Sequence, residues 1–177
     1  MRRLSFTLLC GLLLAPAALA GVRASGDGVL ELQAVNATTV TIAGKGALWG
    51  QVDQGRLYVT DPIDTDGLVY VSGADRAPRA IGDTTTLYIG KNMHFRITGG
   101  TYKLIFVKST GIDLTAVGVG KALMTGDPTA DTTGTYALDG GKWTPVPLLR
   151  NTVPVLFGIQ PTVTGLPTGG TSSNSGP

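Results

Sequence analysis

Cysteine is almost missing from this chain. The one thiol, Cys10, lies in a leader-like segment, so everything downstream lacks a disulfide and a thiolate metal site. Histidine is also reduced to one residue, His94. A two-histidine metal site within one chain is therefore excluded. A Ser-His-Asp triad would depend on His94, and no Gly-x-Ser-x-Gly elbow accompanies it. Glutamate occurs once, at Glu31, and the other acidic residues are all aspartate. Glutamate suits helices, whereas Asp, Gly and Thr suit turns and strands. Aromatics are 6% of the chain, which leaves few for both a core and a binding surface.

Charge of either sign is scarce once the start of the chain is set aside. Met1, Arg2 and Arg3 are followed by an apolar run from Leu4 to Leu14, then by Ala18-Leu19-Ala20 before Gly21. This is the pattern of a secretory signal peptide over residues 1–20, cleaved near Ala20. The run is too short for a membrane span, which needs about 20 apolar residues. Arg2 and Arg3 account for the whole formal charge of +2. The remainder is neutral, which gives no electrostatic basis for binding nucleic acid. The expectation is a protein that is secreted, periplasmic or on the cell surface, with no transmembrane segment in the mature chain.

What is present is a series of short β-like runs punctuated by glycine. They include Val29 to Leu32, Thr38 to Ile42, Gly55 to Thr60, Gly67 to Val71 and Thr84 to Ile89. Met93 to Thr98, Tyr102 to Val107, Val119 to Met124 and Gly134 to Leu138 follow, and Asn36-Ala37 reads as a turn. Turn signals recur every eight to twelve residues, and no window carries a helical stripe. The expected fold is all-β: an antiparallel sandwich or small barrel over residues 21–160, with a β-solenoid as the alternative. Residues 161–177 are mostly Gly, Ser, Thr and Pro and read as a disordered tail.

Two finer expectations follow. Met93, Phe95 and Ile97 alternate with polar residues, as do Tyr102, Leu104 and Phe106. With Gly99-Gly100 as a two-residue turn, Ile97 would pair Tyr102, and Arg96 would oppose Lys103. Residues 28–73 and 93–140 also read as internal repeats. Gly46/Gly111, Val52/Val117, Gly55/Gly120, Asp61-Pro62/Asp127-Pro128 and Gly67/Gly134 coincide in an alignment with two one-residue gaps.

Candidate sites are few. Asp61, Asp64 and Asp66, with Gly67 next, resemble the start of a calcium loop, although the later ligands are missing. Calcium is thus the candidate cofactor. Lys91, Arg96, Lys103 and Lys108 fall in a stretch free of acids and form a candidate anion-binding face. Its partner would be an anionic envelope polymer or glycan. Tyr58, Tyr70, Trp49 and Trp143 are the aromatics that could stack on sugars; core or edge packing is the default, and Trp143 is the one best placed for the surface. An outer-membrane barrel would need strands longer than these runs.

The glycine-punctuated middle of the chain is similar to polymer-forming β-solenoid proteins such as bactofilins. That resemblance implies a self-associating subunit, but bactofilins work at the cytoplasmic face and the leader points outward. The sequence therefore favours a non-enzymatic binding or structural protein of the cell envelope or exterior. A self-associating solenoid subunit and an Asp-dependent secreted hydrolase are the alternatives.

Overall fold

A computed structural model describes residues 26–148 and 154–159. The expected leader and tail lie outside these residues. The described residues form eight strands and no helix. They are β1 (Gly28–Thr60), β2 (Val69–Ala74), β3 (Arg79–Ala80) and β4 (Thr85–Ile97). Then come β5 (Thr101–Gly126), β6 (Thr135–Leu138), β7 (Thr144–Pro145) and β8 (Val155–Phe157). All pairings are antiparallel, and the sheet does not close.

Strand length is the first correction. The expected short runs are present, but most are fused into β1, of 33 residues, and β5, of 26. Asn36-Ala37 lies inside β1 and is not a turn. Gly44, Gly46, Gly50 and Gly55 lie inside β1, and Gly111, Gly118 and Gly120 lie inside β5. The length argument against an outer-membrane barrel falls with the short strands. The faces still argue against one, because apolar residues point inward and polar ones outward, the reverse of a lipid-facing barrel.

The two long segments wind around each other. β1 pairs with β5 twice, once from Gly28↔Gly118 to Lys45↔Thr101 and again from Ala37↔Gly126 to Thr60↔Lys103. Residues 39–45 are thus flanked on one edge by residues 101–107 and on the other by residues 119–125. β4 extends the first ladder, from Leu48↔Ile97 to Thr60↔Thr85.

This continuity overturns the expected hairpin. Ile97 pairs with Leu48, and Tyr102 pairs with Gly44. The chain bends at residues 98–100 and keeps its direction along β1. Asp66 explains the bend: its carboxylate accepts a hydrogen bond from the Thr101 amide at 2.9 Å. Gly100 has φ 88°, and a Cβ there would lie 2.1 Å from the Asp66 carboxylate. The positive φ that suits a Gly-Gly turn here serves a kink instead.

The alternation was nevertheless informative. Met93, Phe95, Ile97, Tyr102, Leu104 and Phe106 are all buried in one core with Leu30, Ile42, Leu48 and Leu57. Phe95 and Phe106 meet with ring centroids 5.4 Å apart and planes tilted by 56°. Such a tilted pair adds about 0.5–1.5 kcal/mol beyond area burial. Phe157 on β8 caps one end and is buried against Gly44 and Gly120.

Equivalent ladders recur at the offsets of the sequence alignment. β2 pairs with β4 through Val69↔Ile97, Tyr70↔Arg96 and Val71↔Phe95. β6 pairs with β1 through Leu32↔Tyr136, Glu31↔Ala137 and Leu30↔Leu138. β2 thus joins β4, and β6 joins the start of β1.

Candidate functional site

Strand register assembles a site that sequence spacing does not show. On the outer face, Tyr70 pairs with Arg96, Arg96 with Trp49, Trp49 with Thr115, and Thr115 with Glu31. At one strand spacing per step, this row spans about 20 Å. The next row runs Ser72, His94, Gln51, Asp113. Outward parity follows from the core: Leu48 and Val52 point in, so Trp49 and Gln51 point out.

Trp143 follows β6 and closes one side of these rows. It lines an open groove with Trp49, His94, Arg96, Gln51 and Glu31, with a volume of about 620 Å³. Trp49 is 45% exposed, Trp143 43% and Tyr70 54%. Of the expected core or edge packing, the core is excluded for Trp49 and Tyr70, and Tyr70 lies on the edge strand β2. Two half-exposed indoles lining one groove give it an apolar wall beside polar groups, a surface suited to a partner. Both tryptophans of the chain share this groove.

Asp113 is held in place within the groove. One carboxylate oxygen accepts from the Ala34 amide at 2.7 Å, and the other accepts from Gln51 Nε2 at 3.4 Å. Ala34 sits at φ 49°, where β1 bulges. Asp113 therefore anchors an irregularity of β1 as well as lining the groove.

The expected calcium ligands do not converge. Asp66 is engaged by Thr101, and Asp64 is exposed. Asp61 meets Thr84 through its backbone amide. Among the described residues, no group of three His, Cys, Asp or Glu is placed to hold a metal ion. Several aspartates instead accept hydrogen bonds from the backbone. Asp139 accepts from Val29, and Asp127 accepts from both the amide and the hydroxyl of Thr129. Those two bonds lower the Asp127 pKa below the usual aspartate value.

The expected basic face is split. Arg96 lies between Trp49 and Tyr70, whereas Lys103 pairs with Ala43 and Thr60. The two do not oppose each other, because the hairpin that would have joined them does not form. Lys91 and Lys108 do come together, lining a shallow groove with Arg56 and Asp75. Lys103 instead lines a depression with Lys45 and Lys121.

No protein-family model, curated protein or solved structure matches the chain. The functional reading therefore rests on geometry. Sequence reasoning named Trp49, Tyr70 and Trp143 but missed Gln51, Asp113 and Glu31 as their neighbours. It also missed a pocket formed by Arg56, Arg76 and Arg79. Their spacing carries no motif, and only the β3–β4 and β1–β4 registers gather them.

Proposed function

We propose that this protein is a non-catalytic carbohydrate-binding protein of the cell exterior, and that Trp49 and Trp143 form its platform. The supporting observation is that both indoles are half-exposed in one open groove with polar neighbours. A sugar ring presents an apolar C–H face that lies flat on an indole, and hydroxyls at its edge. Gln51, Arg96, His94 and Glu31 offer donors and acceptors for those hydroxyls. The open groove suits an extended chain better than a small enclosed ligand. We read the winding of the two long segments as a small open barrel built from two interlocked, duplicated halves.

Tryptophan fluorescence tests this reading directly, because every indole of the chain is at the site. Titration with soluble envelope and plant polysaccharides should quench or blue-shift the emission for at least one. Trp49→Ala should abolish retention of the protein on that polymer. Unchanged emission across a broad panel would sink the proposal.

A second reading has one observation in its favour. Glu31 and Asp113 share the groove, on neighbouring strands two residues out of register. Such diagonal neighbours are about 7–8 Å apart at the backbone, within the range used by glycosidases. Against it, both Asp113 oxygens already accept hydrogen bonds. Release of reducing ends from a bound polymer, lost in Glu31→Gln, would replace binding with hydrolysis.

A further inference from the structure

A second pocket lies on the same outer face, several residues further along β1. β3 pairs with the start of β4 and sets Arg79 beside Leu87. Leu87 pairs with Tyr58, and Ile89 pairs with Arg56. Arg76, from the segment between β2 and β3, completes the rim. The pocket has a volume of about 330 Å³ and is more enclosed than the tryptophan groove. Trp49 and Tyr58 are nine residues apart on one strand, or about 30 Å.

Two properties of this pocket call for a ligand. First, three arginines line it and no carboxylate does. None of the three has an ion-pair partner among the described residues. The neighbouring groove, which Arg56 also lines, differs in holding a carboxylate, Asp75, with Lys91 and Lys108. Clustered guanidiniums repel one another, and a bound anion turns that repulsion into attraction. Their planar forks suit carboxylate, sulfate or phosphate oxygens bidentately. Second, the floor is not charged. Leu87 is buried outside the main core, and Tyr58 and Ile89 lie beside it. A ligand matching both would carry its charge at the rim and an uncharged ring or chain on Tyr58.

We propose that Arg56, Arg76, Arg79 and Tyr58 form a binding site, separate from the tryptophan groove, for an oxyanionic group borne on an uncharged ring. The site recognises the chemistry shared by carboxylate, sulfate and phosphate esters. It does not depend on the carbohydrate reading, since no residue is common to the two sites.

Calorimetric titration of the whole protein with phenyl sulfate, phenyl phosphate, benzoate, inorganic sulfate and phenol tests the proposal. At least one aromatic anion should bind, more tightly than inorganic sulfate, and phenol should not. Arg79→Ala and Arg56→Ala should each weaken the aromatic anion at least tenfold. Tyr58→Ala should weaken the aromatic anion but leave inorganic sulfate unchanged. Lys142→Ala and Trp49→Ala should leave all affinities as they were. The replaced arginines are exposed, so melting temperatures should stay near that of the parent. No binding of any anion, or equal losses in Arg79→Ala and Lys142→Ala, would overturn the site. Binding of inorganic sulfate alone would overturn the role given to Tyr58 and reduce the pocket to an adventitious ion site. Failure of polysaccharide binding, by contrast, would leave this result standing.

Discussion

Gly46 and Gly118 are cross-strand partners, and each lies against the backbone beside the other. A Cβ on Gly46 would be 2.1 Å from the Val117 carbonyl oxygen, and one on Gly118 would be 2.1 Å from that of Lys45. Both have φ 140°, which side-chain-bearing residues rarely adopt. At the crossing the first ladder ends, at Lys45↔Thr101, and Gly118 pairs with Gly28 on one edge and Gly46 on the other. Gly46→Ala or Gly118→Ala should therefore destabilise by about 3 kcal/mol or more, from strain and overpacking together. Gly82 also has positive φ but meets nothing within 4 Å, so Gly82→Ala isolates the strain alone, at about 1 kcal/mol. Urea denaturation midpoints measure the difference. Equal losses at all three positions would show that close approach is not what demands glycine at the crossing.

The role of Asp66 separates a structural carboxylate from a metal ligand. Its hydrogen bond to the Thr101 amide spans 35 residues and holds the loop after β1 onto the bend before β5. Asp66→Ala should cost about 1–3 kcal/mol, because the amide loses a charged acceptor at a half-buried place. Asp64→Ala, at an exposed position, should be close to neutral. Melting temperatures of both variants, with calcium and with EDTA, give the answer. A loss in Asp66→Ala that appears only when calcium is present would return the loop to the metal reading.

The bend also shows where local sequence stops being informative. Alternation at Met93, Phe95 and Ile97 identified the buried face, because a strand's period of two is a local property. Gly99-Gly100 did not reveal whether the chain reverses or kinks, since both need positive φ at the same place. The answer lies with the Asp66 carboxylate, which arrives from a distant loop. The same limit hid the arginine pocket. Arg56 and Arg79 come together only through the successive pairs Arg79↔Leu87 and Leu87↔Tyr58, one turn of parity from Arg56↔Ile89. The place of Trp49 is illegible in the sequence for another reason. In a chain with few aromatics, composition favours the core, and only register showed its indole on the outer face.

Tyr102 sets an alkaline limit on the fold. Its ring is buried in the core, and among the described residues its hydroxyl has no hydrogen-bond partner. Burial raises its pKa well above the usual tyrosine value of 10.0. The native state thus holds this proton more tightly than the unfolded chain does. Its contribution to stability is fully present below about pH 10 and is lost as pH rises from there towards the folded-state value. Tyr102→Phe removes both the unpaired hydroxyl and the titration. It should gain about 1 kcal/mol at neutral pH. It should also flatten the decline in unfolding free energy above about pH 10. A variant that loses stability at neutral pH would mean that the hydroxyl has a partner.

Interlocking of the halves makes each dependent on the other. β2 returns from the first half to pair with β4, and β6 returns from the second to pair with β1. Residues 39–45 have a partner from β5 on both edges and none from their own half. A fragment of residues 21–83 would therefore expose Leu30, Ile42, Leu48 and Leu57 with no facing layer. Each such side chain forgoes about 1.5–3 kcal/mol of burial, which the short contacts within one half do not replace. The fragments 21–83 and 84–177 should each lack cooperative thermal unfolding and a strand signal in far-ultraviolet circular dichroism. Mixed in equal amounts, they should recover both, with tryptophan emission like that of the intact chain. A first fragment that melts cooperatively by itself would mean that the repeats are independent units, and that the crossed ladders are a consequence of folding and not its cause.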